Sequence, residues 1–102
     1  IASGGRPVTL VKIDVQGAEK RVLAGGERLL ARHRPALFVE LDPAALARFG
    51  SGVDDILAYL AARDYRPHRL GKTGAVACSP AEIGSTVARR GYTDILFLPR
   101  VA

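Results

Sequence analysis

The chain of 102 residues contains no methionine, no tryptophan and a single cysteine, Cys78. One cysteine cannot form an internal disulfide, so we expect a reducing compartment, the cytoplasm, for this protein. No histidine lies near Cys78 in the sequence to activate its thiol, which favours a structural role over a catalytic one. Because an initiator methionine is also lacking, we expect a processed protein or a piece of a longer one.

Long apolar runs are absent as well. No run approaches the roughly 18 residues of a membrane span, and residues 1–7 lack the hydrophobic segment of a signal peptide. The 48% hydrophobic and 25% charged fractions are those of a soluble globular protein. We therefore expect no membrane contact and a single domain over residues 1–102.

Aromatic residues are scarce at 6%, although the formal net charge is +5. Proteins that bind nucleic acid usually place aromatic side chains among their basic ones. Of the two densest basic clusters, residues 28–34 and 63–69, only the second contains an aromatic residue, Tyr65, so a solvated basic face is favoured and no nucleic-acid partner is expected. His33 and His68 have no metal-ligand spacing to another His, Cys or carboxylate, and we expect no metal site.

Apolar periodicity and helix punctuation predict alternating strands and helices. The first strand is almost continuously apolar, which is typical of a parallel strand covered on both faces, and Gly17 turns it into a helix. Asp42 before Pro43 predicts a helix N-cap, and Ser51 with Asp54 resembles a capping box. The predicted elements are strands at 8–15 and 36–41, helices at 18–24, 27–33, 43–49 and 53–64, and strands at 65–70 and 93–99.

The stretch from residue 71 to residue 91 is harder to assign. Ser79, Pro80 and Glu82 form a second helix-start signal, but Gly84 weakens a helix there. The third strand is polar enough for a sheet edge, and the short segment after it predicts antiparallel pairing with the last strand. The sum is an α/β fold whose mixed sheet has about four strands, parallel first and antiparallel at the end, with flanking helices.

The apolar first strand needs cover on the side away from the second strand. An uncovered apolar strand pairs readily with other chains. We expect either a preceding segment or a second copy, in a homo-oligomer, to cover it.

Two carboxylates mark the carboxyl ends of the first two strands. Asp14 ends the first strand and Glu40 lies near the end of the second, and ligands of open α/β sheets bind beyond such ends. Pairing of these strands would place the two carboxylates side by side or one position apart. Lys12 shares a face with Asp14 because side chains alternate, and Glu19 starts the next helix near the positive end of its dipole.

Each of these residues also has a structural interpretation. Asp14 could cap the following helix. Glu40 could form an ion pair with Lys12, and Glu19 could serve only the helix dipole.

Several spaced motifs follow one another in a recognisable order. They are K-I-D-V-Q-G-A-E at 12–19, V-L-A-G at 22–25, a leucine pair at 29–30, R-P at 34–35 and V-E at 39–40. This order resembles the FkbM family of S-adenosylmethionine-dependent methyltransferases, closely over residues 8–42 and only in layout over residues 53–99. Gln16 stands where the family usually has Glu, which bears on contacts to the substrate.

The resemblance implies the C-terminal half, strands four to seven, of a Rossmann-like class I methyltransferase fold. The family's glycine-rich turn after strand one and acidic residue after strand two do not occur in this chain, so we expect the isolated chain to be inactive. The implied reaction is O-methylation of a hydroxyl on a sugar or secondary metabolite, with S-adenosylmethionine as cofactor. The implied catalytic residues are Asp14 and Glu40, and the implied substrate-binding residues are Lys12, Gln16, Gly17 and Glu19.

A second interpretation, which assigns the chain to a different class of protein, remains open. The absent cofactor half favours, for this chain alone, a non-catalytic α/β interaction or self-association module. A phosphatase with an aspartate nucleophile is disfavoured, because its second aspartate would fall where Gln16 stands. An upstream strand, glycine-rich turn and helix would decide for the methyltransferase.

Overall fold

The computed structural model describes residues 10–13 and 18–100. Strands and helices alternate along the chain, and none of the helices in these two ranges is long and apolar enough to cross a membrane. The elements are β1 Leu10–Ile13, α1 Glu19–Gly25, α2 Glu27–His33, β2 Ala36–Leu41, α3 Pro43–Ala47, α4 Val53–Ala61, β3 Tyr65–Gly71, β4 Gly74–Ala77, α5 Pro80–Arg90 and β5 Thr93–Pro99.

The strands form one mixed sheet in the order β1-β2-β5-β3-β4. β1 pairs with β2 in parallel, with Ile13 opposite Val39, which confirms the prediction that the first part of the sheet is parallel. β5 is antiparallel to both of its neighbours, β2 and β3, so β3 runs parallel to β2. The antiparallel pairing predicted for the third and last strands is confirmed.

The expectation that the third strand lies at a sheet edge was wrong. β4 pairs with β3 on its outer side, with His68 opposite Ala77, and the sheet therefore has five strands rather than about four. The hairpin closes tightly because Gly71 lies opposite Gly74, and Gly74 has a φ of 138°, which favours glycine. The β4 sequence, Gly-Ala-Val-Ala, gives a weak strand signal, and its partner supplies the backbone hydrogen bonds that stabilise it.

Helix capping follows the predicted pattern at two of three sites. Asp42 Oδ1 accepts from the N–H of Ala45 at 3.2 Å, as predicted. The capping box predicted for Ser51 and Asp54 was wrong by one residue, because α4 begins at Val53. The N-cap is therefore Gly52, and Asp55, three residues on, accepts from the Gly52 N–H at 2.8 Å.

The second helix-start signal is confirmed at α5. Ser79 Oγ accepts from the N–H of Glu82 at 3.2 Å, and the Glu82 carboxylate accepts from the Ser79 N–H at 3.4 Å. This reciprocal pair is a capping box. It allows eleven residues of helix, Pro80–Arg90, despite the glycine at position 84.

One face of the sheet, the core face, carries the hydrophobic core. Its buried strand residues alternate with exposed or half-buried ones, as a sheet covered on one side requires. Large buried residues from all five helices join the same cluster. The strand residues of the core face are Ile13, Leu37, Val39, Leu41, Tyr65, Ile95 and Phe97.

The opposite face, here called the second face, carries Phe38, Leu96 and Leu98, which are only half-buried. In β1 the same alternation leaves Leu10 57% exposed while Ile13 is buried. The described residues of β1 are therefore not covered on both faces, contrary to the expectation from its apolar sequence. An apolar run cannot by itself distinguish a strand covered on two faces from one that is covered on one.

Tyr65 joins the end of α2 to the starts of β2 and β3. Its hydroxyl donates to the Pro35 carbonyl at 2.7 Å, and the Arg34 guanidinium lies 4.6 Å from its ring centroid. Arg34 itself has a φ of 48°, and its side chain donates to the Asp64 carbonyl at 3.4 Å. Burial raises the pKa of Tyr65, and the positive charge of Arg34 opposes that rise.

Candidate functional site

The candidate site lies at the carboxyl edge of the parallel strands. β1, β2 and β3 all end at this edge, and the antiparallel β5 begins there. Ligands of open α/β sheets bind beyond the carboxyl ends of the strands, where loops rather than paired backbone surround the ligand. This topology therefore places the site near the end of β2.

Glu40 lies at this edge with an acidic neighbour. It is opposite Asp94 of β5, so the two side chains share the second face, and antiparallel pairing brings such Cβ atoms within about 5.5 Å. Glu40 is half-buried and Asp94 is exposed. The two carboxylates therefore lie side by side at the edge of the sheet where ligands of such folds bind.

Lys12 lies on the same face as Glu40. It is exposed on β1 and lies opposite Phe38, two residues before Glu40 on β2. The structural ion pair considered for Lys12 and Glu40 stays a prediction. Because Lys12 is exposed, it is accessible to a ligand that reaches over the end of β2.

Glu19 is the first residue of α1, as predicted, but it is buried, with 1% of its surface exposed. A buried carboxylate is costly unless it is hydrogen-bonded, and no buried side-chain polar atom in residues 10–13 and 18–100 lacks a hydrogen-bond partner. A glutamate whose only role is to interact with the helix dipole can remain exposed to solvent. The burial of Glu19 is therefore not explained by the dipole alone. Glu19 is thus an enclosed carboxylate at the start of α1.

Three of the predicted site residues lie outside the described residues. They are Asp14, Gln16 and Gly17. Their assigned roles stay predictions.

A cavity of about 350 Å³ opens between α5 and the carboxyl edge. Phe38 and Asp94 line it from the sheet, Arg69 lines it from the end of β3, and Arg90 lines it from the last turn of α5. Arg90 Nη2 donates to the hydroxyl of Tyr92 at 3.3 Å. The cavity is thus next to the Glu40–Asp94 pair and carries both signs of charge.

Cys78 also lines this cavity, but its environment disfavours the thiolate. Burial raises the pKa of the thiol, the nearby Glu82 carboxylate raises it further, and Arg69 opposes the rise. The reactive form of cysteine is the thiolate. A structural role for Cys78 is therefore favoured, as its sequence context predicts.

Asp94, Arg69 and Arg90 were not singled out by the sequence patterns. The alternation within TDILFLP places Asp94 on the face of Leu96 and Leu98, so a charge on that face is visible in the sequence. Its position opposite Glu40 is not visible, because it depends on the register between β2 and β5. Residues 10–13 and 18–100 contain no group of three or more His, Cys, Asp or Glu side chains that could hold a metal ion.

Comparisons with known proteins identify the family. Neither the curated proteins nor the solved structures include a match to this chain. A family model described as "Methyltransferase FkbM domain" matches residues 2–67, a range that includes β1, β2 and Glu40. Since this range is more than half of the 102 residues, the chain belongs to the FkbM methyltransferase family.

Proposed function

We propose that this chain forms the acceptor side of an S-adenosylmethionine-dependent O-methyltransferase that acts on a hydroxyl of a sugar or secondary metabolite. Membership of the family suggests methyltransferase activity and, in general, S-adenosylmethionine as the methyl donor. The observation that carries the acceptor assignment is the Glu40–Asp94 pair beside a cavity at the carboxyl edge of the sheet.

The sheet topology supports a Rossmann-like class I fold for the complete domain. β1, β2 and β3 are parallel, and β5 is inserted antiparallel between β2 and β3. That order is compatible with strands four to seven of such a fold. The parallel β1–β2 unit and the helices between its strands all lie within the range that matches the family.

The described residues do not form the kind of turn that binds a nucleotide-type cofactor. Nucleotide-type cofactors in open α/β sheets are held on a glycine-rich turn that leads from a strand into a helix. Described glycines lie at helix ends, in the β3–β4 hairpin or inside α5, and the described passage from β2 to α3 runs through Asp42 and Pro43. We therefore assign no step through the cofactor to these residues and propose that it is held outside the described part.

Methylation of a hydroxyl releases a proton, which a base must accept. We assign that proton to Asp14, which follows β1 in the sequence, and we assign to Glu40 a hydrogen bond that orients the acceptor hydroxyl. Lys12, Gln16, Gly17 and Glu19 are assigned to contacts with the substrate or with the turn that surrounds it. Positioning of the hydroxyl by several such groups is itself a large part of catalysis.

Substitution of Asp14 tests the base assignment in the complete gene product. The expected result is a loss of at least about 100-fold in methyl transfer for Asp14→Asn, because a positioned base contributes about that much. Asp64→Asn is the matched control: Asp64 lies before β3 at the opposite edge of the sheet, and its φ of 61° suits asparagine. The measurement is transfer of a labelled methyl group from S-adenosylmethionine to glucose, glucuronate or glucose 6-phosphate.

Two results would contradict the proposal at different points. Activity retained in Asp14→Asn, with S-adenosylmethionine still bound by calorimetry, would remove the base assignment alone. A complete gene product that binds no S-adenosylmethionine would refute the methyltransferase. It would favour the alternative of self-association through β1, which has a neighbour only on its β2 side among the described strands.

A further inference from the structure

We propose that the cavity between α5 and the carboxyl edge binds an anionic group, a carboxylate or a phosphate, carried by the hydroxylated acceptor. The term acceptor rests on the proposed function. The anion site itself rests on the geometry of the cavity and on the charges that line it.

The cavity has the right place and size for part of a small acceptor. It is lined by the end of β3, the start of β5 and one side of α5, and it reaches Asp94, the neighbour of Glu40. Its volume of about 350 Å³ lies within the range of small-molecule sites. Phe38 and Ile83 give it apolar surface, so a bound molecule would be partly removed from water.

Two guanidinium groups line the cavity from different elements. Arg69 comes from β3 and Arg90 from the last turn of α5. Neither forms a salt bridge with a described carboxylate, whereas Arg63 at the opposite edge is paired with Glu27 at 2.6 Å. Guanidinium groups bind carboxylate and phosphate through two parallel hydrogen bonds, which makes these two arginines suitable anion ligands.

The acidic residues that line the cavity do not remove its preference for an anionic group. Glu82 is engaged in the α5 capping box, where it accepts from the backbone N–H and the hydroxyl of Ser79, each at 3.4 Å. Asp94 faces the sheet edge beside Glu40. The carboxylates are therefore placed to accept hydrogen bonds from hydroxyl groups, while the arginines are placed for the anion.

This separation of charge defines a class of acceptor. Arg69 of β3, Arg90 of α5 and Asp94 of β5 line one cavity, and Glu40 of β2 lies opposite Asp94 in the neighbouring strand. A molecule that carries hydroxyl groups on a ring and an anionic group at one end satisfies both sets. Sugar acids and sugar phosphates have that chemistry, and neutral sugars do not.

The test is equilibrium binding by calorimetry with three probes, glucose 6-phosphate, glucuronate and glucose. Both anionic probes share the proposed chemistry, and the tighter of the two identifies phosphate or carboxylate as the preferred group. The expected result is that the preferred anionic probe binds at least about ten-fold more tightly than glucose. Arg69→Gln and Arg90→Gln should each weaken that binding by about five-fold or more.

Arg66→Gln is the matched control, since Arg66 is exposed on the same strand as Arg69 but does not line this cavity. It should leave binding unchanged. Arg90→Lys keeps the charge at the end of α5, and together with circular dichroism it distinguishes loss of the anion contact from loss of the helix. Equal binding of glucose and the anionic probes, or equal weakening by Arg66→Gln, would overturn the proposal.

Because these binding measurements need no S-adenosylmethionine, the anion site and the proposed function can be refuted independently of each other. Anion binding that depends on Arg69 and Arg90, in a complete gene product that transfers no methyl group, would refute the proposed function only. Methyl transfer to neutral and anionic acceptors at equal rates, unaffected by Arg69→Gln and Arg90→Gln, would refute the anion site only.

Discussion

Tyr65 carries the best-defined single interaction of the described residues. Its hydroxyl donates to the Pro35 carbonyl at 2.7 Å within a buried site, and its ring packs under Arg34. The Pro35 carbonyl accepts this bond in a buried site, so loss of the hydroxyl leaves a buried acceptor unsatisfied. One oxygen atom thus links β3 to the residue that precedes β2, thirty residues away in the chain.

Tyr65→Phe is therefore expected to lower the free energy of unfolding at pH 7 by about 1–2 kcal/mol. A second effect concerns pH. Burial raises the pKa of Tyr65 above its ordinary value near 10, so the unfolded chain loses this proton first. The stabilisation from Tyr65 is fully present below about pH 10 and is lost as pH rises further. Urea unfolding of both proteins from pH 7 to pH 11 measures the two effects.

Tyr92→Phe is the control for this comparison. The Tyr92 hydroxyl is exposed and accepts from Arg90 at 3.3 Å, so its loss should change stability by less than about 0.5 kcal/mol. The assignment fails if Tyr65→Phe and Tyr92→Phe have equal effects. It also fails if Tyr65→Phe leaves the decline above pH 10 as steep as in the unchanged protein.

Local sequence signals determine both ends of helix α5. Its start is set by the Ser79–Glu82 capping box, and its end is set by Gly91, whose φ is 86°. Gly84 lies between them, exposed, with no atom within 4 Å of where a Cβ would stand. The same residue type is therefore required at the end of the helix and costs stability in its interior.

Gly84→Ala is expected to raise the free energy of unfolding by about 0.5–1 kcal/mol, because alanine loses less backbone entropy in a helix. Gly91→Ala, the matched substitution seven residues on, should lower it by about 1 kcal/mol because of its left-handed backbone. Thermal unfolding followed at 222 nm measures both. Effects of the same sign at the two positions would contradict the assigned end of α5.

The β3–β4 hairpin illustrates the limit of element prediction. The Gly-Ala-Val-Ala sequence of β4 has no strong strand propensity, and all four of its residues are exposed. It is a strand because β3 provides an edge for backbone pairing, a property of the partner and not of the segment. Conversely, the start of α5 and the N-cap at Asp42 were predictable, because their hydrogen bonds join residues three apart.

At the scale of the whole molecule, the described chain is a sheet with its core on one face. Ile95 and Leu96 are neighbours on β5 that point to opposite faces, and Ile95 is buried in the main cluster while Leu96 is half-buried outside it. Central β5 contacts both β2 and β3, so its core-face residues connect the two halves of the sheet.

Ile95→Ala is expected to lower the free energy of unfolding by about 3 kcal/mol, through lost burial and the cavity that remains. Leu96→Ala, one residue on, should cost less than about 1 kcal/mol, because its side chain is already partly in water. Guanidinium denaturation of the two variants measures the difference. Equal costs would mean that the second face is packed as densely as the core face in solution.

The sequence by itself determined the local features and the family. The motif around Asp14 and Gly17 and the caps at Asp42 and Ser79 are encoded within short stretches. The family match, residues 2–67, covers all of them except the cap at Ser79. Tertiary structure alone decided that β4 completes the sheet, that Asp94 lies opposite Glu40 and that Arg69 and Arg90 line one cavity. These relations join residues that are distant in the chain, and they depend on strand order and register, which local patterns do not specify.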